Sequence, residues 1–272
     1  MRDRLVKGAV VDVAHGSQFV IVRPQPEAAS RLFCFPHAGG GPMAFFDWPE
    51  RLGKQVECVC LQYAGRGQRL REQPLVSVGA LVREIIAGFE RWTDKPFAFY
   101  GHSFGGVVAF ELARALRSIG LPGPHHLFVG ATRPPHLELP FSPIHGLGDK
   151  EFVEKVQARY GGIPAAIYNQ PDILEMFLPA MRADFTAYET YRFATGEPLE
   201  IPISAFAGKD DAAVLPESLP EWSLHTVAEF DITLLPDGHF FSAASGGEVI
   251  GALQNRIAAH LNGQKYTLAG RG

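Results

Sequence analysis

Cysteine is scarce in this chain, with Cys34, Cys58 and Cys60 the only three among 272 residues. So small and odd a number, set inside apolar runs, excludes a disulfide framework and suits a reducing compartment, so a cytoplasmic setting is expected. Net positive charge is lacking as well. Lys and Arg number 25 against 29 Asp and Glu, which leaves −4 at pH 7. No global basic field is present to draw in nucleic acid. No apolar run is long enough to cross a bilayer. The first residues, Met1–Phe19, carry only the short apolar stretch Ala9–Val11 before Asp12 interrupts it, a poor match to a signal peptide. Internal repeats and low-complexity tracts are absent too.

What remains is ordinary globular material, 46% hydrophobic and 20% charged, enough for one sizeable core in a single domain spanning 1–272. Short apolar or β-rich runs bounded by Gly, Pro or charge predict strands at Phe19–Arg23, Arg31–Phe35, Glu57–Gln62, Phe97–Tyr100, His126–Val129, Ile203–Ala207 and Asp231–Leu235. Helical spacing appears between them, in Val78–Arg91, Phe104–Ile119 and Val249–Leu261. Strands alternating with helices predict an α/β fold with a mostly parallel sheet covered on both faces.

From Pro134 to about Pro198 the alternation stops. Helical patterns at Asp149–Tyr160 and Asp172–Phe193 follow one another without a convincing strand, in a segment rich in Leu, Phe, Met and Tyr. Such an insertion reads as a helical lid above the sheet, with ordinary crossover helices as the other reading. It holds more apolar side chains than packing on a sheet requires. Met176, Phe177 and Met181 are therefore candidates for the wall of an acyl-chain pocket.

The strongest local signal is Phe97-Ala98-Phe99-Tyr100-Gly101-His102-Ser103-Phe104-Gly105-Gly106. An apolar strand enters Gly-x-Ser-x-Gly and leaves as a helix. A serine on so tight a turn projects its hydroxyl away from the backbone, and the flanking glycines leave room for the turn. The helix N-terminus adds partial positive charge beside a developing oxyanion. Ser103 is therefore the candidate nucleophile of an α/β-hydrolase. It needs a base and an acid, in the chain order serine, acid, histidine. His239, after the last strand and a Pro236-Asp237-Gly238 turn, is the candidate base. Gly208-Lys209-Asp210-Asp211 follows the preceding strand, so both aspartates are candidates for the acid. A Gly-x-x-Asp turn carries the acid at its fourth position, which favours Asp211. Oxyanion donors are expected from the backbone N–H of Phe104 and of Ala38, the latter in the loop after Leu32–Phe35, with His37 shaping that loop.

With these residues in view the chain resembles the type II thioesterases, stand-alone enzymes that accompany polyketide synthases and nonribosomal peptide synthetases. The matching pieces are Phe35-Pro36-His37-Ala38-Gly39-Gly40, Gln62-Tyr63-Ala64-Gly65-Arg66-Gly67-Gln68-Arg69-Leu70, Gly101-His102-Ser103-Phe104-Gly105-Gly106 and Gly238-His239-Phe240-Phe241. Phe177–Phe185 with Glu189-Thr190-Tyr191 is similar as well, so the resemblance runs from about Arg31 to Leu261. Ala64 departs from it, standing where the family usually has proline. The resemblance implies a triad of Ser103, Asp211 and His239 that removes acyl groups from the phosphopantetheine arm of acyl or peptidyl carrier proteins, and a role in clearing stalled or misprimed units. It implies no cofactor and no metal of the enzyme's own, and a monomer as the working form. Arg66 and Arg69 either contact the phosphate of the arm or pin their loop. An acyltransferase using the same triad, a general small-molecule esterase and a non-catalytic binding protein on the same scaffold are the rival functions.

Overall fold

The computed structural model describes residues 4–6, 9–11 and 18–269. All seven expected strands form, with no end shifted by more than two residues: β3 (Phe19–Ile21), β4 (Ser30–Phe35), β5 (Val56–Leu61), β6 (Phe97–His102), β7 (Leu127–Gly130), β8 (Ile203–Gly208) and β9 (Phe230–Leu235). Two further strands, β1 (Arg4–Val6) and β2 (Ala9–Val11), pair antiparallel as a separate two-stranded sheet that the sequence reading missed. The main sheet has the order β3-β5-β4-β6-β7-β8-β9. Only β3 runs antiparallel to its neighbour; the other pairings are parallel.

The strands are apolar because both faces of the sheet are covered. Alternate residues along each strand enter different cores. Phe33 and Phe35, Val59 and Leu61, Phe97 and Phe99, and Leu127 and Val129 face a core shared with α2 (Val78–Ala87) and α3 (Phe104–Ser118). Leu32, Cys34, Cys58, Cys60, Ala98, Tyr100 and Phe128 face the opposite core, with α1 (Trp48–Leu52) and α7 (Ala243–Ala269). The three cysteines are fully buried free thiols on that second face. Around Phe33 the rings of Phe89, Phe97 and Phe99 pack at 5.0 to 5.8 Å between centroids, mostly edge-on, a geometry that adds electrostatic attraction to area burial.

The helix expected over Val78–Arg91 divides at Gly88, and a 3-10 turn, Glu90–Trp92, follows. Between β7 and β8 lie α4 (Asp149–Tyr160), α5 (Ala165–Tyr168) and α6 (Pro171–Glu189), and residues 134–198 add no strand to the sheet. The helix expected to reach Phe193 stops at Glu189. The Glu189 carboxylate accepts the backbone N–H groups of Ile144 and His145. Beyond it the apolar pattern continues in chain outside any helix or strand, where the Tyr191 hydroxyl donates to Glu111 on α3. Ile144, Phe152, Val153, Val156, Ile163, Met181 and Phe185 form a small core of their own within this segment. No helix among the described residues is long and apolar enough to cross a membrane.

The chain leaves β4 for β5 on one side and returns to β6 on the other. The carboxyl ends of β4 and β6 therefore lie side by side with diverging loops, the place where open α/β sheets build ligand sites.

Several histidines are held neutral by this packing. Burial pushes His125 and His126 down to about 3, with the neighbouring His260 and Arg256 adding repulsion, and pushes His225 down to about 4. In the unfolded chain these rings take up a proton near the ordinary value of 6.5. The unfolded state thus binds more protons over the interval between, and stability is lost as pH falls from about 6.5 toward 4. The melting temperature should drop measurably between pH 7 and pH 5, and His126→Gln should flatten the drop. A melting temperature constant over that range would show that these rings ionise freely in the folded protein.

Candidate active site

Ser103 sits between β6 and α3 at φ 54, ψ −119, outside the regions a residue with a side chain prefers. Two glycines make the turn possible. A Cβ on Gly101 would stand 2.4 Å from the Gly105 carbonyl oxygen, and one on Gly105 would stand 2.1 Å from that of Phe35. The turn is held from the neighbouring strand. The Ser103 N–H donates to the Gly130 carbonyl at 2.7 Å, and the Thr132 hydroxyl shares its hydrogen between the Gly130 and Ser103 carbonyls, at 2.9 and 3.1 Å. Thr132 carries no motif that would have marked it in the sequence.

His239 lies on the loop after β9, with its Nε2 2.9 Å from Ser103 Oγ. Its Nδ1 is 2.8 Å from Asp211 Oδ2. A carboxylate can only accept, so Nδ1 carries the proton and the Nε2 lone pair faces the serine. Asp211 is buried in the turn after β8, and its Oδ1 accepts the N–H groups of Ala213 and Val214 at 2.8 and 3.1 Å. Asp210 is exposed and joins the site only through its backbone, which donates to the Asp237 carbonyl. The Tyr160 ring, from α4, packs 5.0 Å from the imidazole of His239.

Ala38 and Phe104 both border the space in front of Ser103. As the first residue of α3, Phe104 has an N–H with no acceptor inside its helix. The loop carrying Ala38 is fastened from two distant places. Asp184 on α6 accepts the Gly39 N–H at 2.8 Å and pairs in fork geometry with Arg66, at 2.6 and 2.8 Å. Arg66 in turn donates to the Gly40 carbonyl at 2.8 Å. Arg69 is buried between Glu72 and Glu84 and donates to the Gln62 carbonyl. Only 7% and 4% of their side chains are exposed, and these bonds hold Arg66 and Arg69 against their loops. His37 borders the same space with its ring 4.8 Å from Phe240, and burial, with repulsion from His239 and Arg66, pushes it down to about 4.

In front of Ser103 opens a largely apolar cavity of about 370 Å³. Residues 134–198 supply one wall, including Val156, Tyr160, Ile163, Phe177, Met181 and Phe185. Phe177 and Met181 are four apart on α6 and so share a face. Met176 does not reach the cavity. It lies one residue out of phase and is 58% exposed, which corrects its expected place in the pocket wall.

The chain is similar to several known proteins. The pattern of the thioesterase domain family matches residues 30–257. Gramicidin S biosynthesis protein GrsT of Aneurinibacillus migulanus is 35% identical over 232 residues, 85% of this chain and 90% of that protein. Thioesterase PikA5 of Streptomyces venezuelae is 36% identical over 239 residues, 88% of this chain and 83% of that protein. Among solved structures, the RedJ thioesterase from the prodiginine pathway of Streptomyces coelicolor superposes with a TM-score of 0.80 at 36% identity, covering 85% of this chain and 87% of that one.

Two substitutions probe this construction. Asp211→Asn should lower turnover by about 10⁴-fold through the wrong imidazole tautomer, while Asp210→Asn stays close to wild type; steady-state kinetics that reversed the order would move the acid to Asp210. Asp184→Asn leaves Arg66 buried without a counter-charge, and urea titration should show a loss of about 3–5 kcal/mol. Turnover of the folded fraction should fall with it, because the Gly39 N–H loses its strongest acceptor. A folded Asp184→Asn protein of wild-type stability would mean that the ion pair holds nothing in place.

Proposed function

The chain belongs to the thioesterase domain family, and on that premise we propose that it hydrolyses acyl thioesters carried on the phosphopantetheine arm of acyl or peptidyl carrier proteins. The observation that carries the reading is the hydrogen-bonded row Asp211–His239–Ser103 opening on an apolar cavity. The relatives named for gramicidin S and prodiginine biosynthesis support a place beside a peptide or polyketide assembly line, clearing stalled or misprimed units.

In the mechanism, Ser103 Oγ attacks the thioester carbonyl while His239 Nε2 takes its proton. Asp211 stabilises the imidazolium. The N–H groups of Ala38 and Phe104 receive the oxyanion, and the thiol of the arm leaves with the proton from His239. Water, deprotonated by His239, then attacks the acyl-serine and releases the carboxylic acid. No step calls for a metal or cofactor, and the working form is a monomer. The segment over residues 134–198 acts as a lid whose inner face, through Phe177 and Met181, receives the acyl chain.

Hydrolysis of a panel of acyl-loaded carrier proteins tests the reading. The wild-type protein should release free acid, and Ser103→Ala should be slower by about 10⁶-fold or more while keeping its fold. Phe177→Ala and Met181→Ala should shift chain-length preference, with Met176→Ala, outside the cavity, unchanged. Release confined to oxygen esters would make the protein a general esterase. Acyl transfer to a second carrier protein in place of free acid would make it an acyltransferase.

A further inference from the structure

The mechanism leaves His102 unused, although it occupies the position next to the nucleophile. It is the last residue of β6, only 7% exposed, and its ring is packed on several sides by other rings. Phe240 stacks on it at 5.3 Å and 19°, with Phe241 edge-on at 5.1 Å and His37 at 6.1 Å. Both ring nitrogens are engaged. Nε2 lies 2.9 Å from the carbonyl oxygen of His239, and Nδ1 lies 3.2 Å from the hydroxyl of Tyr100.

The direction of this chain of hydrogen bonds follows from the chemistry of its ends. Burial, and then repulsion from His239 and His37, holds His102 well below the ordinary histidine range, so the ring is neutral and carries one N–H. The His239 carbonyl can only accept, which puts that hydrogen on Nε2. Nδ1 is left as an acceptor, and the buried Tyr100 phenol, pushed far above its ordinary value, keeps its proton and donates it. The order runs from Tyr100 O–H to His102 Nδ1, and from His102 Nε2–H to the His239 carbonyl.

We infer that His102 is a positioning residue for the reaction: it ties the backbone of His239 to the backbone of Ser103, with Tyr100 fixing its tautomer. His102 and Ser103 share a peptide bond, so a hydrogen bond from His102 to His239 sets the base directly against the nucleophile. Asp211 orients the imidazole by its Nδ1, a bond to the side chain and not to the His239 main chain. The neighbouring restraints act elsewhere, at Asp237, whose carbonyl accepts from Asp210 and whose carboxylate accepts from Ser242. A ring held neutral at position 102 also does not compete for the proton that His239 takes from Ser103.

The inference rests on the proposed roles of Ser103 and His239, and a fluorophosphonate that labels Ser103 tests it whatever the natural acyl group. Labelling of the wild-type chain verifies those roles first. His102→Phe keeps a ring between Phe240 and Phe241 and removes the N–H. It should label about 10- to 100-fold more slowly, the scale of a misplaced reacting group. KM for an acyl-N-acetylcysteamine thioester should stay near wild type, and the downfield proton resonance of His239 Nδ1–H should broaden or shift. His102→Gln, whose amide N–H reaches toward the same carbonyl, should recover most of the rate. Wild-type labelling by folded His102→Phe, or slower labelling with the His239 resonance unmoved, overturns the inference. Should His102→Phe not fold, Tyr100→Phe decides. Slower labelling with a broadened resonance at an unchanged melting temperature supports the role, and a wild-type rate overturns it.

Discussion

The first turn of α3 lies so close to the end of β4 that residue 105 has no space for a side chain, with the Phe35 carbonyl oxygen 2.1 Å from where a Cβ would be. That approach sets the geometry of everything catalytic in the proposed reading. It brings the free N–H groups at the start of α3 beside the loop that carries Ala38, so both proposed oxyanion donors belong to one rigid contact. It also forces β6 into a turn too sharp for ordinary backbone, and Ser103 takes up φ 54. A residue held there costs about 1–3 kcal/mol. The cost is offset locally by the bonds from Ser103 N–H to Gly130 and from Thr132 to Ser103, and by the burial of Phe104, Val107 and Val108 behind the turn. The reward is a hydroxyl that points into the cavity and not into the sheet.

The apolar wall of that cavity and the fastening of the oxyanion loop come from the same helix. Met181 and Phe185 line the space, and Asp184 between them holds Gly39 and Arg66. A swing of the whole of α6 would carry Asp184 off the loop and open a buried ion pair, which is costly. Pro179 divides the helix. It supplies no N–H to the carbonyl one turn earlier, and residues 175–177 before it are exposed whereas Ala180, Met181, Ala183, Asp184 and Phe185 after it are buried. The lid reading therefore has a limit built into it. A movement of the proposed lid that kept the Asp184 contacts with Gly39 and Arg66 would be confined to the part of the segment before Pro179, and Phe177 is the cavity residue on α6 that it would carry away.

What the sequence made legible was local or followed chain order. The seven strands of the main sheet are consecutive apolar runs, and the strand, elbow and helix around Ser103 occupy neighbouring positions. His239 followed from the order of the elements. Between Asp210 and Asp211 the turn only favoured one; burial of the second and its bond to His239 separate them in space. Arg66 and Asp184 are 118 positions apart, and His102 and His239 are 137 apart. No local pattern connects such pairs, though each stood inside a stretch that resembled the family. Met176 failed for a different reason. Apolar character marked it as a wall residue, but one residue of helical phase decides between cavity and solvent, and the sequence does not say which face of α6 turns inward.

Residue type alone would also have misled at the other end of the sheet. His126 Nε2 lies 2.9 Å from Ser204 Oγ, and Ser204 Oγ lies 2.9 Å from Asp231 Oδ2. The three residue types match those around Ser103 at similar distances, but the connection differs. Here the serine stands between the histidine and the acid, so its proton goes to the carboxylate and it accepts from the His126 N–H. No base lone pair faces the hydroxyl. Ser204 is 1% exposed, closed off within the sheet. The cluster joins the starts of β7, β8 and β9 and keeps buried polar groups satisfied. At Ser103 the histidine stands in the middle, its protonated nitrogen on the acid and its lone pair on the serine, under a strained turn that opens on a cavity. The order of the three groups, and the space beside the serine, separate the proposed nucleophile from a structural hydroxyl.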